Sequence, residues 1–221
     1  MHSVSRDPNA ASVRIRQVNF ERSKSSRMSG QEILERLKAG NDRFVSDKLD
    51  GMLQDSSRRQ SLTGGQEPYA IILSCADSRV VPELAFDAGL GELFVVRVAG
   101  NVANTSSIAS MVYAVAHIGC PLLVVMGHES CGAVTAAMGG GDNGYNLNHL
   151  LSHIAPAMAD VGGGAEVNTV VKQNAKLNAK ELLSRSAIIR DAVDAGKLTI
   201  VSAYYELESG RVQFLDSAQA A

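Results

Sequence analysis

No stretch of this 221-residue chain approaches the roughly 20 consecutive apolar residues that a membrane-spanning helix needs. Basic charge is not in excess either. Lys and Arg number 21 against 23 Asp and Glu, a formal net charge of -2, which lacks the electrostatic footprint of a nucleic-acid binder. Cysteine is scarce. Three residues, Cys75, Cys120 and Cys131, form an odd and sparse set that argues against a disulfide framework and for a reducing compartment, so a cytoplasmic location is expected. Tryptophan is absent. What remains is ordinary globular composition, with 45% hydrophobic and 20% charged residues, enough for a core without staples. The length suits one α/β domain with terminal extensions.

Residues 1–28 read differently from the rest. They carry Arg6, Arg14, Arg16, Arg22, Lys24 and Arg27 against Asp7 and Glu21, and they lack the apolar core of a secretory signal. The Arg- and Ser-rich character has a faint similarity to an organelle transit peptide, which leaves an organelle or microcompartment open as a location. The plainer expectation is an N-terminal arm over 1–28 that packs on a partner subunit or stays mobile, followed by a catalytic domain over 29–221.

Beyond the arm, Ser29-Gly-Gln-Glu32 has the form of a capping box, and Ile33, Leu34, Leu37 and Phe44 follow at helical spacing. A helix is predicted from about Gly30 to Asp47, and a polar helical piece from Met52 to Leu62. Four apolar runs, Tyr69–Cys75, Leu93–Val98, Leu122–Met126 and Leu198–Ala203, read as strands buried on both faces. Arg211–Leu215, after the Ser209-Gly210 turn, reads as an antiparallel edge strand. Helical stretches fall between them at Ser106–Ile118, Val134–Met138, Leu147–Ala159 and Asn168–Ala195. The alternation predicts an α/β fold with a mostly parallel β-sheet flanked by helices. Sites in such sheets form beyond the carboxyl ends of the strands.

Two segments at strand ends carry chemistry: Cys75-Ala-Asp77-Ser-Arg79 and Gly127-His128-Glu-Ser-Cys131-Gly132. Neighbouring parallel strands would bring Cys75, His128 and Cys131 to one point. Two thiolates and an imidazole are a zinc set that leaves a fourth position open, as a catalytic site requires. Arg79 can hold Asp77 ionised through a charge-assisted pair, ready to accept a hydrogen bond from water. Taken singly, each signal has a plainer reading. A buried strand cysteine is more often a small core residue, and His-x-x-Cys with a distant Cys is a weaker zinc pattern than paired Cys-x-x-Cys. Cys120 and His117 read as packing residues, and His149 and His153, four apart on one helix, as a solvated face.

Together the two motifs resemble those of the β-class carbonic anhydrases. The similarity runs from about Gln31 to Leu215 and includes Phe94-Val-Val-Arg97 and Gly100-Asn-Val-Ala103. The resemblance implies one zinc ion per subunit on Cys75, His128 and Cys131, with Asp77 and Arg79 as the catalytic dyad. It implies reversible hydration of carbon dioxide to bicarbonate and a proton by attack of zinc-bound hydroxide. It also implies that Gln66, Phe94, Tyr113 and Gly132 contact substrate, with some of that lining supplied by the neighbouring subunit of a homodimer or a dimer of dimers. Ala76 departs from the commoner serine. With no Trp, and Ile72 where a regulatory bicarbonate pocket would have one, the chain is similar to the plant-like subtype despite the matching Arg97, and an open site with Asp77 on Arg79 is expected. Two other functions compete: hydrolysis of carbonyl sulfide or carbon disulfide at the same site, and a non-catalytic zinc or redox module.

Overall fold

The structure is a computed structural model that describes residues 28–218, so the basic arm, all but Met28, lies outside the described residues. The first helix, α1, spans Gly30–Val45 and opens on the predicted capping box. The Glu32 amide donates to Ser29 Oγ at 3.3 Å, and the Ser29 amide donates back to the Glu32 carboxylate at 2.6 Å. The polar piece that follows is shorter than predicted: α2 covers Ser56–Ser61, capped by Asp55, whose carboxylate accepts from the Arg58 amide.

Strand β1 is Ala70–Ser74, and a short helix, α3, covers Pro82–Ala85. Strand β2 is Leu93–Arg97, and α4 is Thr105–Tyr113, continued by a π-helical turn to Ile118 and stopped by left-handed Gly119. Strand β3 is Leu122–His128, followed by α5 over Gly132–Gly139. The helix predicted over Leu147–Ala159 is two helices, α6 (Tyr145–Ser152) and α7 (Ala155–Val161), because Pro156 in the first turn of α7 has no N–H to continue the α6 ladder. The long helix predicted over Asn168–Ala195 also divides. α8 (Val167–Arg185) ends where Ser186 turns extended and caps α9 (Ala187–Asp194) by accepting from the Ile189 amide. Strands β4 (Thr199–Tyr205) and β5 (Val212–Ala218) complete the chain.

The strands form one sheet in the order β2-β1-β3-β4-β5, parallel throughout except for antiparallel β5 at one edge. Side chains alternate across it. Ile71, Leu73, Leu123, Val125 and Ile200 pack under α4, α8 and α9, while Ala70, Ile72, Leu122, Val124 and Met126 pack under α1 and the α3 region. Strands β1 and β3 are buried along their whole length, as a parallel interior strand must be. Strand β2 is not. Its residues are half-buried and Arg97 is exposed, because β2 is the outer parallel strand and is covered on one side only by β1.

Candidate metal centre

From β1, at the centre of the parallel strands, the chain passes to β2 on one side and then crosses to β3 on the other. A crevice opens at such a switch point, between the carboxyl ends of β1 and β3. Cys75 is the first residue after β1, and His128 is the last residue of β3. The chain then makes a left-handed turn at Ser130, φ 53°, which delivers Cys131 to the N-cap of α5. One ligand atom from each of Cys75, His128 and Cys131 lies within 4.8 Å of the others, and all three residues are buried, at 4%, 0% and 1% exposure.

The electrostatics of the group favour a cation. Cys75 Sγ lies 4.0 Å from Cys131 Sγ and accepts the Gly100 N–H at 3.3 Å. The Cys75 thiol is drawn down by the Cys131 sulfur first, against its own burial, and further by His128 and by the Gly100 and Asp77 amides. Cys131 is pushed far up, by the hydrogen bond to Cys75, by burial and by the negative charge that Cys75 then carries. A second bare thiolate at this distance is disfavoured until something positive sits between the two. His128 Nδ1 lies 2.8 Å from the Glu129 carbonyl, which can only accept, so Nδ1 carries the proton and the Nε2 lone pair points away from it. Nε2 is buried and has no hydrogen-bond partner among the described residues. Two sulfurs and an unspent imidazole nitrogen suit a borderline-soft divalent cation such as zinc.

Beside this group, Asp77 and Arg79 form the predicted pair. Arg79 Nε and Nη2 donate to the two Asp77 carboxylate oxygens at 2.9 and 2.7 Å, and the Arg79 amide adds a third bond at 2.9 Å. These bonds hold the Asp77 carboxyl well below the usual carboxylate range, the Arg79 side chain contributing most and the Arg79 amide and charge adding to it. Asp77 Oδ2 stands 3.8 Å from His128 Nε2, too far for a hydrogen bond and close enough to share a small ligand. Arg97 secures the same loop from β2 by donating to the backbone carbonyls of Cys75, at 2.9 Å, and Asp77.

The other expected site residues divide. Gly132 directly follows Cys131 and is exposed, and a Cβ there would meet no heavy atom within 4 Å, so it borders open space. Gln66 and Tyr113 line a shared groove that also includes His117, and the Phe94 ring lies 6.4 Å from that of Tyr113. Phe94 pairs with Ile71, four residues before Cys75. At about 3.3 Å per residue, that places the aromatic cluster roughly 13 Å down the strand from the metal group. Within one chain these three are together, but away from Cys75, His128 and Cys131. Cys120 is buried and donates to the Pro68 carbonyl, as its packing role requires. The His149 and His153 rings meet edge-on at 5.3 Å at the end of α6, with His149 exposed and His153 half-buried.

Fold and cluster together define an α/β protein with a metal-ready Cys-His-Cys group at its switch point. The carbonic anhydrase family profile matches residues 70–212. Carbonic anhydrase 2 of Mycobacterium tuberculosis is 37% identical over 186 residues, covering 81% of this chain and 90% of that protein. The solved β-carbonic anhydrase CcaA superposes with a TM-score of 0.67 at 26% identity, over 86% of this chain and 92% of its own. One of two tetrameric β-carbonic anhydrases from the ascomycete Sordaria macrospora shares the fold at 0.65 and 23% identity, over 84% and 98%. The chain belongs to the β-class carbonic anhydrases, and it is therefore a carbonate dehydratase.

Three contributors escaped the sequence reading. Glu129, within the second motif, fixes the His128 ring through its carbonyl, while its carboxylate accepts the Leu207 amide at 2.9 Å. Arg97, which matches the regulatory arginine, donates to the Cys75 and Asp77 carbonyls and so supports the ligand loop. Asn168 accepts the Ser130 amide at 2.9 Å and so holds the left-handed turn before Cys131. Asn168 is the second residue of α8 and its bond reaches across 38 residues, so no local pattern announced it.

Proposed function

We propose that the chain interconverts carbon dioxide and bicarbonate at one zinc ion held by Cys75, His128 and Cys131. The observation that carries this reading is the buried group of two sulfurs and one unpartnered imidazole nitrogen beside an ionised carboxylate. When bound, zinc supplies Lewis acidity that turns water into a nucleophile near neutral pH. Asp77 is fixed by Arg79 as an acceptor, so it takes a hydrogen bond from the attacking oxygen and turns that oxygen's lone pair toward the substrate carbon. Arg79 is a positioning residue, and its bond to the Ser130 carbonyl at 3.4 Å ties the dyad to the Cys131 loop. Gly132 leaves room for a small linear substrate beside the sulfur ligand.

The half-buried β2 edge and the remote Gln66–Phe94–Tyr113 group support a homodimer in which these apolar and amide side chains line the partner's substrate pocket. The tetrameric fungal relative makes a dimer of dimers a reasonable further assembly. The catalytic unit is assigned to 29–221, with 1–28 as an arm. None of the described helices is long and apolar enough to cross a membrane, and the buried, metal-suited thiols favour the cytoplasm.

Metal analysis paired with stopped-flow hydration of carbon dioxide tests the function. About one zinc per chain and hydration that disappears on chelation are expected. Full zinc loading with no hydration would instead leave a non-catalytic zinc module.

A second expectation concerns regulation. Arg97 is already bonded to two carbonyls, and Ile72 is fully buried in the core. The indole donor that a regulatory bicarbonate pocket needs is missing, and Arg97 is tied to the Cys75–Asp77 loop through two of its donors. Bicarbonate should therefore inhibit only by competing at the metal, and a noncompetitive component in steady-state kinetics would overturn this.

A further inference from the structure

The Gly100 amide that donates to Cys75 Sγ belongs to an unusual turn. Gly100 (φ 70°) and Asn101 (φ 45°) are both left-handed, and Asn101 is only 1% exposed. Asn tolerates this conformation better than most side chains, and the residues that flank it, Gly100 and Ala103, are both held from outside the turn. The surroundings here are a ladder of amides from α8. The Ala103 N–H donates to Asn178 Oδ1 at 2.6 Å, Asn178 Nδ2 donates to Asn174 Oδ1 at 2.9 Å, and Asn174 Nδ2 donates to the Gly100 carbonyl at 2.8 Å. Asn174 and Asn178 are 1% and 4% exposed, four residues apart on the face of α8 that meets the site. The direction of donation is set end to end, so neither amide can flip without losing bonds in a dry interior. Less than two turns earlier on the same helix, Asn168 grips the Ser130 amide next to Cys131.

We propose that α8 is a splint for the metal centre, and that Asn174 and Asn178 are positioning residues that aim the Gly100 N–H at Cys75 while Asn168 sets Cys131. This rests on the reading of Cys75, His128 and Cys131 as metal ligands. An N–H···S bond draws electron density from the thiolate and fixes its direction. Without it the sulfur becomes a stronger but less well placed donor. The ladder thus sets both the electron richness of one ligand and the spacing of two.

The test uses the full-length protein loaded with cobalt(II), whose sulfur-to-metal charge-transfer band reports thiolate donation directly. In Asn174→Leu, which removes the donor to Gly100 at similar size, the band is expected to move to longer wavelength. Metal release to a chelator is expected to quicken by about 10- to 100-fold. The control is Asn41→Ala. Asn41 is equally buried and bonds the Ala85 and Gly210 carbonyls and the Val212 amide, away from the site, so it should lower the melting temperature and leave band and release unchanged. If Asn174→Leu does not fold, Asn168→Ala, at a half-buried position, is expected to quicken release from the Cys131 side. A folded Asn174→Leu or Asn168→Ala with the wild-type band and release rate overturns the inference while leaving the metal centre standing. A wild-type protein that takes up neither cobalt nor zinc removes the metal centre and the splint with it.

Discussion

His128→Ala is expected to retain less than about a tenth of the wild-type zinc and to lose at least about 1,000-fold in kcat/KM. The imidazole is the neutral member of the group, and its loss leaves two sulfurs 4.0 Å apart in a buried pocket. Two ligands do not hold zinc against solvent when the tetrahedral sites of enzymes use three. With no cation between them, the two sulfurs also resist carrying two negative charges at this distance, so the pair holds on to a proton that competes with zinc. Cys75→Ser makes the same point at nearly constant volume, because the hydroxyl can still accept the Gly100 N–H but is a poor zinc ligand beside a thiolate. Circular dichroism should show the sheet intact in both variants, since β1 and β3 are held by core contacts on both faces. Metal content by elemental analysis and hydration by stopped flow are the measurements. A zinc-free variant that hydrates carbon dioxide at the wild-type rate would refute the role given to the metal.

Much of this architecture was legible in the residues because parallel strands advertise themselves. The runs at Ala70–Ser74 and Leu122–His128 are apolar without alternation, and both are fully buried. The capping box at Ser29 and Glu32 located the start of α1 because two reciprocal bonds there need those two residue types. Helix breaks were harder. Ser186 sits inside a continuous helical pattern, and only the extended backbone it adopts in order to cap α9 reveals the division. The exposure of β2 could not be read either, because an outer parallel strand carries the same apolar run as an interior one. In the site, side chains that touch the reacting centre fall in two short motifs. Of the partners that aim them, Glu129 lies inside the second motif, but Gly100 and the asparagines of α8 are scattered along the chain and meet the site only when the sheet closes. Sequence spacing records the first kind of residue and has no way to record the second.

Asp77→Asn separates the dyad from the metal. Zinc content should be unchanged, since Asp77 is not one of the three clustered ligands, while kcat/KM is expected to fall about 100- to 1,000-fold. The amide is isosteric, yet it carries no charge and presents one donor where the carboxylate had an acceptor. One of its two oxygen positions now faces an Arg79 N–H with an N–H of its own, so the bidentate pair at 2.9 and 2.7 Å cannot form. The residue then either turns its amide oxygen to Arg79 and offers a donor to the reacting oxygen, or does the reverse and leaves Arg79 unpaired. Either choice misdirects the lone pair that attacks carbon. Arg79→Ala should cost less, because the Asp77 carboxylate survives and still accepts the backbone N–H at position 79, which the substitution leaves in place. It loses only the fork that holds its plane. The ordering of the two variants is the sharper result. If Arg79→Ala proved as damaging as Asp77→Asn with zinc retained in both, the guanidinium itself would have to contact substrate, and its role would change from positioning to catalysis.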